Sequence, residues 1–326
     1  MKPRRWLVFA YAIVLTAAGS LASAMSIAGY TVSTYEFPGA PITGFRDINA
    51  AGDVVGYYQT DASDFNTANA LRIVGGVPET INPPTSTGDR RAFGNNDAGT
   101  VVGSFNNMGS HGFVLTGSTF TTYDAPGTTQ GTTIRGLNNP GDFVGEYDDT
   151  SGVQQGFVQL SASSGGTFQT VTVPGATSTT VRAINDSGRI AGFYIDAATG
   201  ALRGYVSDDG LAFTPIDHPD PAAVSTLIGG INNDGVLVGA WLAALGSPES
   251  QPARGFIRDA TGTFLPFDLT GATSTLPIGL NDLGQIVGEA VAPDGTRYGF
   301  IATPIPEPSS LCVLALSTFF LGRHSR

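Results

Sequence analysis

The sequence predicts an all-β fold, a six-bladed β-propeller built from repeats of about 47 residues, on three observations. One phrase, Asn-x-x-Gly with a second Gly four residues further on, occurs six times. Its copies begin at Asn49, Asn96, Asn138, Asn185, Asn232 and Asn281, at intervals of 47, 42, 47, 47 and 49 residues. Each interval holds four short β-rich segments, and a period of about 40–50 residues with several strands per unit is how propeller blades repeat. The composition agrees: 13% charged residues, 44 Gly and 20 Pro beside 41% hydrophobic residues suit short strands and turns around a core.

The first segment of each unit leads into the Asn, as in Thr133 to Leu137. The second is the apolar stretch between and beyond the two Gly, as in Val101 to Phe105. The third carries a Gly-aromatic pair: Gly112-Phe113, Gly156-Phe157, Gly204-Tyr205, Gly255-Phe256 and Gly299-Phe300, decayed to Ala70-Leu71 in the first unit. The fourth is Phe-x-x-apolar-Asp, as in Phe120 to Asp124, Phe213 to Asp217 and Phe264 to Asp268. The Asn-x-x-Gly itself suits a type I turn closed by a left-handed Gly, with the Asn side chain bonding backbone two residues on. That turn role is a simpler reading of the six Asn than a ligand ring. A lone fourth-type strand, Tyr30 to Phe37, precedes the first copy, and the last copy ends on a third-type strand, Gly299 to Ile301. The N-terminal strand is therefore expected to complete the last blade and close the ring, which removes exposed edges.

Both ends read as address labels. Met1 to Arg5 is basic, Trp6 to Ala18 is apolar and Ala22-Ser23-Ala24 has small residues at cleavage positions, so residues 1–24 read as a secretory signal for signal peptidase. At the other end stand Pro306-Glu307-Pro308, an apolar run from Leu311 to Leu321, and a basic cap with Arg323 and Arg326. This tail, residues 304–326, resembles the PEP-CTERM sorting signal of Gram-negative bacteria. The resemblance implies recognition and processing by an exosortase-type transpeptidase, location in the cell envelope or extracellular matrix, and a setting of exopolysaccharide production. The hydrophobic helix would be roughly 18 Å long, which suits a transient membrane contact better than a permanent transmembrane helix. Between the two ends, residues 25–303 form the propeller domain. Its unit from His111-Gly112-Phe113 through Tyr123-Asp124-Ala125-Pro126-Gly127 to Asn138-Asn139-Pro140-Gly141 resembles the HAF extracellular repeat. The other units carry Gln155, Arg203, Arg254 and Tyr298 where His111 stands. That resemblance implies a secreted bacterial repeat protein and brings no catalytic residues.

The chain has a net charge of −11, and residues 25–303 hold eleven arginines, no lysine and 26 carboxylates, a net charge of −15. Such a surface repels nucleic acid and anionic lipid. Cys312 is the only cysteine and lies in the tail, so the domain has no disulfide, no Cys-ligated metal and no thiol nucleophile. Neither a zinc motif, a nucleophile elbow nor a P-loop occurs, and no cofactor is expected. Asp148-Asp149 and Asp208-Asp209 offer at most weak Ca²⁺ binding and read more simply as turn residues.

Two sets of residues are candidates for recognition. Arg46, Arg135 and Arg182 share one register, three residues before the Asn, where the other units have Phe93, Gly229 and Ile278. They could meet an acidic sugar at a channel mouth, or serve as ion-pair residues. Two residues past the second Gly stand Tyr58, Phe105, Tyr147, Tyr194, Trp241 and Ala290. These positions suit packing between blades, and the sharper alternative is a stacking platform for sugar rings at Tyr58, Tyr147, Tyr194 and Trp241. The expected role is structural or recognition, toward extracellular polysaccharide. The alternative is a glycan hydrolase or lyase working through carboxylates such as Asp47, Glu146 and Glu289. Enzymes of that kind break their own repeat with long insertions, whereas here the only long loops are 59–69 and 244–254, both polar or small.

Overall fold

The computed structural model describes residues 26–27 and 29–306, so the secretory signal and the tail from Glu307 onward lie outside the described residues. A short strand β1 (Ser26–Ile27) and β2 (Tyr30–Tyr35) come first. Blade 1 follows with β3 (Ile42–Ile48), β4 (Val54–Gln59), β5 (Ala68–Val74) and β6 (Val77–Ile81). Blade 2 is β7 (Arg90–Asn95), β8 (Val101–Asn106), β9 (Ser110–Thr116) and β10 (Thr119–Tyr123). Blade 3 is β11 (Thr132–Leu137), β12 (Phe143–Asp148), β13 (Gln154–Gln159) and β14 (Phe168–Val171). Blade 4 is β15 (Ala176–Ile184), β16 (Ile190–Asp196), β17 (Leu202–Ser207) and β18 (Thr214–Ile216). Blade 5 is β19 (Ser225–Ile231), β20 (Leu237–Leu242), β21 (Arg254–Arg258) and β22 (Phe264–Pro266). Blade 6 contributes β23 (Ser274–Leu280), β24 (Ile286–Val291) and β25 (Arg297–Pro304).

Every blade is an antiparallel meander, and the protein is the six-bladed propeller that the repeat predicts. Blade 6 takes its fourth strand from the N-terminus. Strand β2 pairs with β25 from Tyr30 opposite Pro304 to Tyr35 opposite Gly299. The two ends of the chain therefore hold the ring shut through six residue pairs.

The repeat's fixed letters each answer a packing requirement. The aromatic of the Gly-aromatic pair is buried outright: Phe113, Phe157, Tyr205, Phe256 and Phe300 expose 1% or less, and Leu71 takes the same place in blade 1. The Gly before it faces the first strand of the following blade. A Cβ on Gly112 would stand 2.9 Å from Ile134, and one on Gly156 would stand 2.8 Å from Val181. A larger residue there would push neighbouring blades apart.

The Asn-x-x-Gly turn is the same in all six copies. The Asn carbonyl accepts the N–H of the first Gly at 3.0–3.1 Å, and that Gly has φ between 74° and 90°. The Asn Oδ1 accepts the N–H four residues on, at 2.7–3.1 Å, rather than only two residues on as the sequence suggests. Its Nδ2 is then free to reach the next blade. Asn49 donates to the Asn96 carbonyl, Asn96 to Asn138, Asn138 to Asn185, Asn185 to Asn232, and Asn281 to Asn49, at 2.9–3.2 Å. The turn residues thus stitch blade to blade around the axis.

Candidate functional site

The second Gly of the phrase shapes the channel. It pairs with the first strand where the backbone pinches: a Cβ on Gly145 would lie 2.0 Å from the Thr133 carbonyl oxygen. Only Gly fits, because each first strand carries a β-bulge at this point. The register shifts between Phe45 and Asp47, Ala92 and Gly94, Ile134 and Gly136, Val181 and Ala183, Ile228 and Gly230, and Pro277 and Gly279. The skipped residues are Arg46, Phe93, Arg135, Arg182, Gly229 and Ile278. A bulge leaves one residue unpaired and re-aims its side chain. All six line the cavities on the axis, so they form a waist. The repeat holds the backbone constant there while the side chains differ from blade to blade.

On the turn side of the waist is a small cavity of about 100 Å³. On the other side, where the first strands begin, lies a chamber of about 420 Å³. A second hollow of about 410 Å³ adjoins it and shares Arg46, Arg91 and Glu249. Both long loops named from the sequence are connections between second and third strands, so they sit at this same end. Each is held by its own hydrogen bonds: Gln59 Nε2 donates to the Asp61 and Asp64 carbonyls, and Gln251 Nε2 to those of Ala244 and Leu245. Ala62 lines the second hollow, and Gly246 to Glu249 line the chamber. Arg297 Nη2 fixes the tip of that loop by donating to the Glu249 carbonyl at 3.1 Å.

One wall of the chamber is charged and the other apolar. Arg46 pairs with Glu289 at 3.2 Å, across the junction of blades 1 and 6, and Tyr57 donates to the same carboxylate oxygen at 3.3 Å. The guanidinium groups of Arg46 and Arg91 lie over the Tyr57 ring, 4.9 and 4.6 Å from its centroid. Arg91 Nε pairs with Asp89 at 3.1 Å. Arg135 Nε donates to Glu146 Oε1 at 2.8 Å while its guanidinium lies over the Phe93 ring. Phe193, Ile195, Leu202, Leu227 and Leu276 make the opposite wall.

Arg182 differs from the other two waist arginines. Among the described residues it has neither an ion-pair nor a hydrogen-bond partner. It is half-buried and lines the chamber. Burial, with the nearby charges of Arg135 and Arg46, pulls its guanidinium down to about 9. At Arg46 burial also works against the charge, but Glu289, Tyr57 and Glu249 overcome it and raise the pKa. Glu249 is opposed by burial too; its hydrogen bond with Ser247 and the attraction of Arg46 and Arg182 hold it below the usual carboxylate range.

The sequence-derived candidates divide accordingly. Arg46, Arg135 and Arg182 come together at the waist. Tyr58, Tyr147, Tyr194 and Trp241 do not join them. Tyr58 is buried, stacked on Phe37 at 3.7 Å and hydrogen-bonded to Thr80, and Tyr147 is buried and bonded to Thr170. Tyr194 and Trp241 are half-buried against the Tyr205 and Phe256 cores of their own blades, so all four pack one per blade rather than forming a platform. Of the sorting-signal residues, Pro306 is exposed coil, and Glu307, Pro308, Arg323 and Arg326 are outside the described residues. Asp149 is used by its own turn, accepting from Ser151, Val153 and Gln155, and Asp209 likewise accepts from Leu211 and Ala212. Among the described residues no group of three or more His, Cys, Asp or Glu side chains is placed to hold a metal ion. Arg91 and Glu249 were not singled out from the sequence. Glu249 had one signal: it is the only carboxylate in the loop 244–254.

No family model matches the chain, and no curated protein matches it in sequence. Solved structures do resemble it in fold. AofleA from Arthrobotrys oligospora is 14% identical with a TM-score of 0.52, over 83% of this chain and 86% of that one. The β-propeller domain of the trilobed protease from Pyrococcus furiosus is 9% identical with a TM-score of 0.50, over 90% and 99%. TolB from Acinetobacter baumannii is 12% identical with a TM-score of 0.51, over 77% of this chain, which spans 63% of TolB. At these identities the likeness is one of fold, and it places the chain among β-propellers.

Proposed function

We propose that this is a secreted recognition protein of a Gram-negative envelope or extracellular matrix, one that binds extracellular polysaccharide at the chamber end of its propeller. In this reading signal peptidase removes residues 1–24 and an exosortase-type transpeptidase processes the PEP-CTERM-like tail. The observation that carries the binding role is a charge contrast. A domain with eleven arginines against 26 carboxylates gathers Arg46, Arg91, Arg135 and Arg182 around one hollow. The two long loops lie at that same end, which is where loops on a rigid scaffold serve binding.

The enzyme reading has less support. A hydrolase needs two carboxylates free to act as acid and as base or nucleophile. Glu146 and Glu289 are each engaged by an arginine. Asp47, which burial pushes up to about 7, accepts N–H groups from Ile48 and Asn95 and lines the cavity on the turn side of the waist. A glycan array probed with the full-length chain tests the proposal: retention of acidic polysaccharides supports it, and no retained glycan refutes it. Cleavage of an array glycan would favour the hydrolase or lyase. Intact mass of protein recovered from the native envelope tests the processing, and a form that still ends at Arg326 would refute it.

A further inference from the structure

The waist has three arginines and two dedicated carboxylates. Glu289 serves Arg46 and Glu146 serves Arg135. Arg182 is left facing the chamber with five N–H donors and no acceptor among the described residues. Burial and the cations Arg135 and Arg46 oppose this guanidinium's charge, and the carboxylates of Glu146 and Glu249 offset them only in part, so a further anion in the chamber is favoured. The wall beside it is short of an acceptor as well: Arg46 Nε is buried without a hydrogen bond. Buried polar groups left open in this way call for a ligand or ordered water.

Opposite the charged wall, Phe193 offers an aromatic face beside Leu202, Leu227 and Leu276. A ligand that satisfies both sides has a carboxylate at one edge, hydroxyls around it and an apolar C–H face. The hollow of about 420 Å³ lies near the lower end of the range of about 300–1,000 Å³ for small-molecule sites, room for about one or two sugar rings. From this geometry we infer that the chamber is a binding site for a carboxylate-bearing sugar, a uronic acid unit, whose carboxylate pairs with Arg182 and whose ring lies against the Phe193 wall. This deepens the polysaccharide-recognition reading and rests on it. A uronate can arrive as a free monosaccharide or as a unit of an acidic polymer, and the chemistry at Arg182 is the same for both.

Glu249 sets the affinity. Its carboxylate, on the anchored loop over the chamber, attracts the same Arg46 and Arg182 charges and so opposes a second anion. Removing its charge makes the chamber more cationic without touching the waist.

The test is calorimetric titration of the full-length chain with D-glucuronate, its methyl ester, acetate and an oligo-uronate. Glucuronate should bind saturably, and the ester, which lacks the charge, should bind about 10–100-fold more weakly. Acetate, which lacks the ring, should also be at least about tenfold weaker. Arg182→Gln should lower glucuronate affinity to that of the ester, and Glu249→Gln should raise it. Equal binding of acid and ester, or no saturable binding of either uronate, overturns the inference, and neither comparison depends on the variants folding. An Arg182→Gln protein with wild-type unfolding and unchanged affinity also overturns it. The two readings fail separately. Neutral glycans retained on the array with no uronate bound would defeat the carboxylate inference alone. Glucuronate bound with the oligo-uronate refused would keep the site and defeat polymer recognition.

Discussion

Asn185→Ala should destabilise the propeller by about 2–4 kcal/mol, although residue 185 lies in a turn in a chain with five other copies of the same turn. Asn185 is 6% exposed. Its Oδ1 accepts from Ser187 N–H, Ser187 Oγ and Arg189 N–H at 3.2, 2.8 and 3.0 Å, and its Nδ2 donates to the Asn232 carbonyl at 3.2 Å. Each hydrogen bond is worth about 0.5–1.5 kcal/mol net, and a partner left buried without water costs about 1–3 kcal/mol. The Ser187 and Arg189 N–H groups can take water; the Asn232 carbonyl keeps the Gly235 N–H but loses its bond across the blade junction. Asn185→Asp separates the two roles. It keeps the acceptor for the turn and sets a carboxylate oxygen against the Asn232 carbonyl, so its loss belongs to the inter-blade link. Urea unfolding of both variants, with the slope checked for change, gives the two numbers. If both stay within about 0.5 kcal/mol of the parent, the blade-to-blade stitching by these amides does not contribute as described.

Deleting residues 25–40 should open the ring and destabilise the whole domain, because β2 supplies six pairs to blade 6; circular dichroism melting would show it, and a melt like that of the parent would refute the closure. Trp241→Ala should cost about 1–3 kcal/mol, less than the roughly 3–5 kcal/mol of a fully buried Trp, because its ring is half-buried beside His218. An unchanged unfolding midpoint would remove Trp241 from the packing and return it as a binding candidate. Burial raises Asp47 from 3.8 to about 7, so the folded state ionises it only with difficulty. That group leaves stability undiminished below pH 4 and lowers it as pH rises toward and through 7, by up to about 4 kcal/mol. Asp47→Asn should flatten this fall; stability that rises over the same window, or an unchanged slope in the variant, would contradict it.

The blade count and the closure were legible because the repeat's fixed letters each do a backbone task that few residues can do. Asn185 and its five counterparts hold a turn, the first Gly takes positive φ, and the second Gly admits the bulge. Such demands recur at fixed spacing and stay visible in the chain. The arginine register was legible for the same reason: Arg46, Arg135 and Arg182 stand at a constant offset from the Asn. Their direction was not, because a bulge shifts the alternation by one residue, and only the pairing locates it. The aromatics two residues past the second Gly illustrate the opposite case. Tyr58, Tyr147, Tyr194 and Trp241 form a conspicuous series, yet large residues are what the blade interiors require, so periodicity alone could not separate packing from a platform. Glu249 escaped because its role is set by where one loop folds back, which no repeat position encodes, and Arg91 because the other units hold Gly44, Thr133, Thr180, Leu227 and Leu276 at its place in the first strand, so no recurring arginine marks it.

A crystal structure of the full-length chain with an oligo-uronate is the most direct measurement of whether the chamber is a recognition site. The expected result is a sugar carboxylate within hydrogen-bond distance of Arg182, its ring against Phe193, and the remaining units leaving past the loop that carries Glu249. An oligosaccharide seated only on the outer blade rims, with water alone in the chamber, would contradict it.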